Sequence, residues 1–278
     1  MKILHPGAAP EHPLGPHIRG TWDANRIAAI SLLALILPTS LFLFENGLVG
    51  ITNIALAVIL VMGWQLLFAI LRHRAFTWDG VGTALIFTIL APPSTPLWQL
   101  IFAITFGVVL GEQIFGGRGR SFVNPATLAL AFLFFSFHEP ASDPAGINLI
   151  AAVVPGAILL LRLRLLSWRT LVGISLGLFG AAMLARSAFD REQLLSGSLI
   201  FGLVFLACDP ISSASTNLGR WLYGALIGTL VVVLGQTGAG PGSVNAVVFA
   251  ALLGSIFAPL IDHTVVTLNA HKRRKRHG

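Results

Sequence analysis

Residues 96–132 read PLWQLIFAITFGVVLGEQIFGGRGRSFVNPATLALAF, and residues 219–254 repeat the pattern as GRWLYGALIGTLVVVLGQTGAGPGSVNAVVFAALLG. Trp98 in the first stretch matches Trp221 in the second, and VVLGEQ from Val108 matches VVLGQT from Val232. After a Gly-rich link, a Val–Asn pair follows in both stretches, at 123–124 and at 244–245. Each stretch is also preceded by a proline motif, APPS from 91 in the first and CDPIS from 208 in the second. Self-similarity of this length predicts a duplicated unit.

The chain around the repeat has the composition of a membrane protein. Of its 278 residues, 55% are hydrophobic and 10% are charged, and the mean hydropathy is +0.83. A soluble domain carries about 25% charged residues. Apolar runs recur without a long polar segment, which predicts one membrane domain over 26–262 with repeats at about 26–137 and 147–262. Tails at 1–25 and 263–278 flank it, and the first tail lacks the apolar core of a signal peptide.

About ten apolar segments are predicted as transmembrane helices, although most are shorter than the ~20 residues that span a bilayer. Five in each half make the second copy upside down relative to the first, so we predict an all-α fold of two inverted five-helix repeats. Prolines 92, 93 and 210 interrupt the third and eighth segments, which are therefore predicted to be broken helices. The segments are 27–44, 48–71, 81–91, 97–111, 125–137, 147–161, 171–184, 195–207, 221–234 and 244–261.

Arginine and lysine predict the orientation of these segments. If both termini are cytoplasmic, all of the 18 Lys and Arg residues except Arg186 and Arg191 fall on the cytoplasmic side. The net charge of +7 rests largely on the terminal basic run at 272–276, which favours contact with anionic lipid over nucleic acid. We therefore expect a multi-pass protein of a bacterial-type inner membrane, with the lipid bilayer as its first partner.

The stretch GGRGRSFVNPA from Gly116 is the most informative local motif. Gly116, Gly117 and Gly119 allow close backbone approach to a ligand, and Asn124 is placed to cap a helix that begins at Pro125. Such a helix N-terminus favours an anion or a carbonyl-rich ring. A plain tight turn with a cap explains the same residues, and both interpretations stay open.

Three long blocks make the chain resemble a known family: residues 91–137, ACDPISSASTNLGRWLYGALIG from 207, and FAPLIDHTVVTLNAHKRR from 257. They are similar to the NqrB/RnfD family, which contains membrane subunits of the sodium-pumping NADH:quinone reductase and of the Rnf complex. The resemblance covers roughly residues 48–276. It implies an inverted-repeat helical fold, flavin cofactors, and electron transfer coupled to sodium or proton movement. It also implies other membrane subunits and a flavinylated or iron–sulfur redox partner.

The resemblance also suggests site residues. The family's acids for sodium uptake map onto Asp209 and Asp262, and Glu112 lies on the same predicted side. The alternatives are that Asp209 caps a helix and that Asp262 pairs with the terminal basic run. A non-covalent flavin, riboflavin or FMN, is expected at the Gly-rich loop with Asn124 and Pro125, together with Ser213 and Thr216 of the second block.

Two departures from the family pattern limit this expectation. Relatives carry covalent FMN on the threonine of an (S/T)-G-A-T motif, whereas the corresponding HEPASDPAGINLIAAVVPG from 138 has none, so we expect no covalent FMN. Gln65 stands where relatives tend to have a glutamate in the quinone region, which argues against quinone reduction there.

The sequence favours no metal centre held by this chain alone. No two of its eight histidines have helical spacing inside an apolar segment, which argues against haem between helices. Its one cysteine excludes an iron–sulfur cluster held only by its own thiolates.

Three functions fit these observations. The first is a membrane electron-transfer subunit, at most a non-catalytic or electron-transfer subunit of an oxidoreductase or translocase, which passes electrons to redox partners and couples this to ion entry. The second is a channel or transporter that has lost the cofactor role. The third is an accessory scaffold of another membrane redox complex.

Overall fold

The computed structural model describes residues 24–73, 76–117, 119–137, 146–184, 196–236 and 243–277. Most of the predicted N-terminal tail, the loop with Arg186 and Arg191, and residues 138–145 of the segment that lacks the flavinylation motif lie outside these ranges. All regular structure within the described ranges is helical.

The first half begins with α1, Ala24–Leu71, which bends at Gly47 where φ is 52°. Glycine adopts this backbone conformation more readily than other residues. The bend at Gly47 falls between the two predicted segments 27–44 and 48–71. The half continues with α2 (Gly80–Leu90), α3 (Leu97–Val108, extended by a π-helical turn at Val109–Gln113) and α4 (Pro125–Phe137).

The second half repeats this order. Its helices are α5 (Gly146–Arg162), α6 (Trp168–Leu184), α7 (Gly197–Gly202, extended by a π-helical turn at Leu203–Ala207), α8 (Asn217–Gly235) and α9 (Val244–His277). Each predicted apolar segment overlaps a helix. Three stretches are long and apolar enough to cross a membrane, namely Asn25–Leu71, Asn217–Gly235 and Val244–His271.

The predicted starts of two helices are late, since α8 begins at Asn217 and not at 221, and α6 also begins earlier than predicted. Helix α6 begins at Trp168 and not at 171, because the hydroxyl of Ser167 accepts a hydrogen bond from Thr170 N and caps the first turn. Helix α9 continues to His277, so the predicted basic tail forms the last turns of a helix. Its apolar pattern ends near 261, but no helix-breaking residue follows Pro259 before Gly278.

The short helices stop at the predicted prolines. Helix α2 has 11 residues and ends before Ala91, whose ψ of 139° is extended, as expected for a residue that precedes proline. Helix α7 and its π turn end at Ala207, just before Asp209 and Pro210. At about 1.5 Å per residue, each is about 16 Å long, roughly half the ~30 Å hydrocarbon core of a bilayer. Each is a single half-length helix followed by an irregular link, at 91–96 and 208–216.

Helices α6 and α8 pack backbone to backbone through two G-x-x-x-G pairs. A Cβ atom on Gly177 would lie 2.2 Å from the carbonyl oxygen of Ala225, and one on Gly228 would lie 2.2 Å from that of Ile174. A Cβ atom on Gly173 would lie 2.8 Å from the carbonyl oxygen of Trp221, and one on Gly224 would lie 2.4 Å from that of Thr170. Small residues of this kind let membrane helices approach closely.

The two halves share one core. A Cβ atom on Gly156 of α5 would lie 2.5 Å from the carbonyl oxygen of Ala34 in α1, and α4 contacts α9. The two halves also share a packing pattern. Helix α4 packs on α3 and α2 in the first half, and α9 packs on α8 and α7 in the second.

Candidate functional site

The helix bundle has two chemically different ends. At one end Asn53 Nδ2 donates to the carbonyl oxygen of Pro93 at 3.4 Å, and the rings of Trp98 and Phe137 meet at 5.2 Å. The other end, called the basic end here, contains the opposite termini of the same helices. The arginines with described side chains lie there: Arg26, Arg72, Arg120, Arg162, Arg164, Arg169 and Arg220.

A cavity of about 260 Å³ lies at the basic end, between the two halves. We call it the central cavity. The first half supplies α1, α2 and the region around the Gly-rich loop, and the second half supplies the end of α5 and the end of α7. Its apolar wall includes Leu35, Ile86 and Phe205, whereas Thr83, Asn124 and Cys208 add polar groups.

Three acidic residues line the central cavity: Asp79, Glu112 and Asp209. Asp79 and Glu112 are buried, with 7% and 3% of their surface exposed. Buried carboxylates are costly in a membrane protein and are rarely found without a functional role. Their convergence on one cavity makes this cavity the candidate site.

The π-helical turn at Val109–Gln113 explains how Glu112 reaches the interior. Successive residues of an α-helix point about 100° apart, yet Gly111, Glu112 and Gln113 are all buried. A π turn widens the helix locally and commonly occurs at functional sites. The turn therefore directs two adjacent polar side chains into the bundle.

Glu112 is the centre of a small polar network. Its Oε1 accepts hydrogen bonds from Gln65 Nε2 at 3.1 Å and from Gln113 Nε2 at 3.0 Å. The buried Oε1 of Gln65 has no hydrogen-bond donor among the described residues. Gln65 and Glu112 also line a second cavity of about 70 Å³ together with Gly116 and Gly117, which we call the side cavity.

The Gly-rich loop has the predicted geometry. Gly116, Gly117 and Gly119 have φ values of 103°, 94° and 86°, which glycine adopts without strain. Asn124 Oδ1 accepts a hydrogen bond from Ala126 N at 2.9 Å, and α4 begins at Pro125. The loop therefore ends in the predicted cap at the wall of the central cavity.

Asp209 follows α7 where the half-helix ends. Its carboxylate accepts a hydrogen bond from the hydroxyl of Ser212 at 3.1 Å, and its carbonyl oxygen accepts one from Ser213 N at 3.1 Å. These bonds form a turn between α7 and the link to α8. The neighbouring Cys208 is buried, with 4% of its surface exposed.

Asp262 binds the link before α8. Its Oδ2 accepts hydrogen bonds from Ser215 N and Oγ at 2.7 and 2.9 Å. Its Oδ1 accepts from Thr216 N and Oγ1 at 3.0 and 2.6 Å. Thr216 in turn caps α8 by accepting from Gly219 N at 3.1 Å. Asp262 therefore fixes the start of α8 to α9, through partners that the sequence did not indicate.

The comparisons with known proteins agree with this architecture. The model of the NQR2, RnfD, RnfE family matches residues 13–144 and 142–270. This chain belongs to that family. The NqrB subunit of the Na(+)-translocating NADH-quinone reductase of Pseudomonas paraeruginosa is 32% identical over 320 aligned positions, which include 95% of this chain and 79% of the relative. The NqrB subunit of Ectopseudomonas mendocina is 31% identical (94% of this chain, 78% of the relative), and that of Yersinia pestis is 30% identical (80% and 68%).

The predicted site residues do not all lie together in this NQR2, RnfD, RnfE family member. Glu112, Asn124, Pro125 and Asp209 line the central cavity, and Gly116, Gly117, Gln65 and again Glu112 line the side cavity. Gly119 lies in the loop between them. Ser213 lines a third cleft, and Thr216 is bound to Asp262 at the start of α8.

Asp79, which was not among the predicted site residues, lines the central cavity just before α2. Its counterpart before α7 is Ser196, whose side chain accepts a hydrogen bond from Leu199 N and caps that helix. Asp79 makes no such cap, and it accepts a hydrogen bond from the hydroxyl of Thr77. The sequence feature that could have indicated Asp79 is its position directly before a short helix that ends at prolines. No group of three or more His, Cys, Asp or Glu side chains suited to a metal ion occurs among the described residues.

Proposed function

We propose that this chain is a membrane-embedded electron-transfer subunit that holds a flavin non-covalently in the central cavity. Electron transfer would be coupled there to the movement of Na⁺ or H⁺. The carrying observation is that three acids, a capped helix N-terminus and an apolar wall converge between the two halves of a chain of this family. The relatives named above are subunits of a Na(+)-translocating NADH-quinone reductase.

The residues around the central cavity suit an isoalloxazine ring. Such a ring is flat and apolar on its faces, and it has carbonyl and nitrogen groups along its edges. Ile86, Leu35 and Phe205 provide apolar contact, while Thr83 and Asn124 provide polar groups. Ligand cavities usually measure about 300–1,000 Å³, so a cavity of about 260 Å³ suits the ring alone, with the ribityl chain directed outwards. The bound flavin would supply the redox chemistry, and the chain would position it.

Covalent attachment is not part of this proposal. The (S/T)-G-A-T motif is absent from the whole sequence. The alignment with the Pseudomonas paraeruginosa relative runs over 320 positions, whereas this chain has 278 residues, so the relative contains insertions. A shortened loop at the segment from 138 fits both facts. We infer that a flavin of this chain is held by contacts alone.

The acids of the central cavity support ion coupling. Na⁺ binds carboxylate and carbonyl oxygens, and acids inside a membrane domain commonly mark ion pathways. Asp79, Glu112 and Asp209 would form the entrance from the basic end, beside the bound ring. Asp262 does not line the central cavity, and its four hydrogen bonds hold the start of α8, so it is not part of the proposed entrance.

The distribution of arginine supports an inverted arrangement of ten crossings. The described arginines of both halves gather at one end of the bundle, as the positive-inside rule expects for cytoplasmic termini. The two half-helices stop at corresponding prolines, as is typical of inverted-repeat membrane proteins. We therefore place the central cavity on the cytoplasmic side of a bacterial inner membrane, where it faces flavinylated or iron–sulfur partner subunits.

The test is the flavin content of the native complex. The chain is purified with its co-purifying subunits in mild detergent, its visible absorption is recorded, and denaturation is used to release bound cofactor. We expect flavin to be released from a chain whose intact mass is unmodified. A colourless chain would contradict flavin binding, and flavin retained as a mass increase would contradict non-covalent binding.

Half-helices at matched positions are also typical of transporters, which favours one competing function. Solute or ion flux into liposomes separates the two. An electron-transfer subunit predicts flux that depends on the redox state of its complex. Flux that is independent of redox state and is lost in Asp209→Asn would favour the transporter.

A further inference from the structure

A cleft of about 780 Å³ opens at the basic end between α5, α6 and the start of α8. Leu165, Leu166, Cys208 and Pro210 separate it from the central cavity, since they line both. Arginines dominate its lining, so we call it the arginine cleft: Arg162, Arg164, Arg169 and Arg220.

The arginine cleft has an unbalanced positive charge. No Asp or Glu is among the described residues that line it. None of its four arginines forms an ion pair with a carboxylate within the described part of the chain. Asp209, the acid next to Pro210, lines the central cavity instead. Helix α6 begins at the same cleft, at Trp168, and the positive end of its dipole adds to the positive potential.

Two of the arginines are held in place by neutral partners. Arg169 donates from Nη1 to Asn217 Oδ1 at 2.9 Å, and its guanidinium lies over the Trp168 ring at 5.2 Å. Arg220 donates from Nε to the carbonyl oxygen of Ala214 at 3.3 Å. These contacts fix the guanidinium groups through neutral acceptors, without a carboxylate partner among the described residues. Fixed guanidinium groups bind phosphate in a forked, bidentate manner.

Arg164 occupies a position that normally selects glycine. Its φ is 58°, and it ends α5 in a turn where Arg164 N donates to Leu161 O and Leu165 N donates to Leu160 O, both at 3.0 Å. This is the pattern of a helix end whose C′ residue is usually glycine. The strained arginine adds a charge to the cleft where glycine would make a more relaxed turn.

The rim of the cleft is apolar and faces outwards. Ile158 of α5 and Trp168 of α6 have 52% and 55% of their surface exposed. Tryptophan is enriched at the membrane–water interface, and basic pockets between membrane helices on the cytoplasmic side bind anionic head groups. We propose that the arginine cleft binds the phosphate head group of an anionic phospholipid, with its acyl chains along α5 and α6. This site is separate from the flavin site and does not depend on it.

Retained lipid tests the proposal. The complex is purified in detergent, delipidated, and titrated with phosphatidylglycerol or with phosphatidylcholine of the same acyl chains, with native mass spectrometry and the apparent Tm as readouts. A third arm uses inorganic phosphate. We expect phosphatidylglycerol to bind and raise the Tm, phosphatidylcholine to bind much more weakly, and inorganic phosphate to have little effect.

Variants locate the binding. The double substitution Arg169→Gln and Arg220→Gln should weaken phosphatidylglycerol binding about tenfold or more, since each arginine near an anionic head group contributes on the order of 1 kcal/mol. Arg72→Gln, an exposed arginine outside the cleft, is the control and should leave binding unchanged. Arg164→Gly separates binding from folding, because it should weaken lipid binding while the lipid-free Tm is unchanged or higher.

Three results would overturn the proposal. Equal binding of phosphatidylglycerol and phosphatidylcholine would show that the cleft does not select an anionic head group. If Arg72→Gln weakened lipid binding as much as the double variant, the lipid site would not lie in the arginine cleft. Inorganic phosphate acting as strongly as phosphatidylglycerol would assign the cleft to a soluble anion.

Discussion

At the residue scale, Glu112 is a buried carboxylate at the centre of a polar network. It accepts two buried amide donors, from Gln65 and Gln113. Glu112→Ala leaves both donors without an acceptor, which should cost about 1–3 kcal/mol for each one that stays dry. We expect a clear fall in the apparent Tm of the detergent-solubilised protein for Glu112→Ala, and a smaller one for Glu112→Gln, which keeps an acceptor oxygen.

The control for Glu112 is Glu45→Ala, which removes an exposed carboxylate. Its Tm should match that of the wild type. Equal stability of Glu112→Ala and Glu45→Ala would show that the network contributes nothing to the fold.

Asp262 permits a sharper distinction between structural and ion-binding roles. Asp262→Asn replaces one acceptor oxygen by an amide that cannot accept from Ser215 or Thr216. We expect a lower apparent Tm, and we expect Thr216→Ala, which keeps the carboxylate, to lower it in the same direction. If Asp262→Asn changed the Na⁺ dependence of electron transfer while both variants kept the wild-type Tm, an ion-binding role would be favoured.

Residue chemistry was predictable where it is local. The cap of Asn124 and the left-handed glycines of the loop follow from sequence neighbours, and both occur as expected. The hydrogen bonds of Asp262 could not be predicted from its sequence neighbours, because its partners lie 46 and 47 residues away. Asp79 was overlooked because its importance comes from the cavity that other helices complete.

At the element scale, the G-x-x-x-G contact between α6 and α8 gives the clearest stability test. Gly177→Ala places a methyl group 2.2 Å from the carbonyl oxygen of Ala225, so the helices must separate. Gly180→Ala, one turn further along α6, meets no atom within 4 Å. We expect Gly177→Ala to lower the apparent Tm by several degrees, since overpacking typically costs about 1–3 kcal/mol. Gly180→Ala should be neutral or slightly stabilising. Equal effects of the two variants would contradict the close packing.

Helix positions and helix ends were largely readable from the sequence, since apolar runs and prolines set them directly. The π-helical turns at Val109–Gln113 and Leu203–Ala207 were not, because no residue type marks a π turn. The first turn brings Glu112 and Gln113 to the interior, whereas the second contains only apolar residues and buries four of them.

At the scale of the whole molecule, the predicted topology can be tested with single cysteines. Ser94 lies in the link after α2 and Asn217 lies at the start of α8, at opposite ends of the bundle, and both are exposed. In a Cys208→Ser background, we expect a membrane-impermeant maleimide to label Ser94→Cys from outside intact cells. Asn217→Cys should be labelled only after the membrane is opened. Labelling of Asn217→Cys in intact cells would contradict the cytoplasmic position of the basic end.

The central claim is that a flavin occupies the cavity between the two halves. Gly82 lines this cavity, and a Cβ atom there would meet only Leu32 Cδ2, at 4.0 Å. Gly82→Leu therefore fills the cavity with little disturbance of the backbone. Gly63→Leu is the matched control, because Gly63 is exposed on α1 and a Cβ atom there meets nothing within 4 Å.

The decisive measurement is the flavin-to-protein ratio of these two variants, purified in parallel with the wild-type complex and checked for equal assembly. We predict that Gly63→Leu keeps the wild-type ratio while Gly82→Leu loses most of its flavin. Flavin retained in Gly82→Leu at the level of Gly63→Leu would place the cofactor elsewhere and contradict the site.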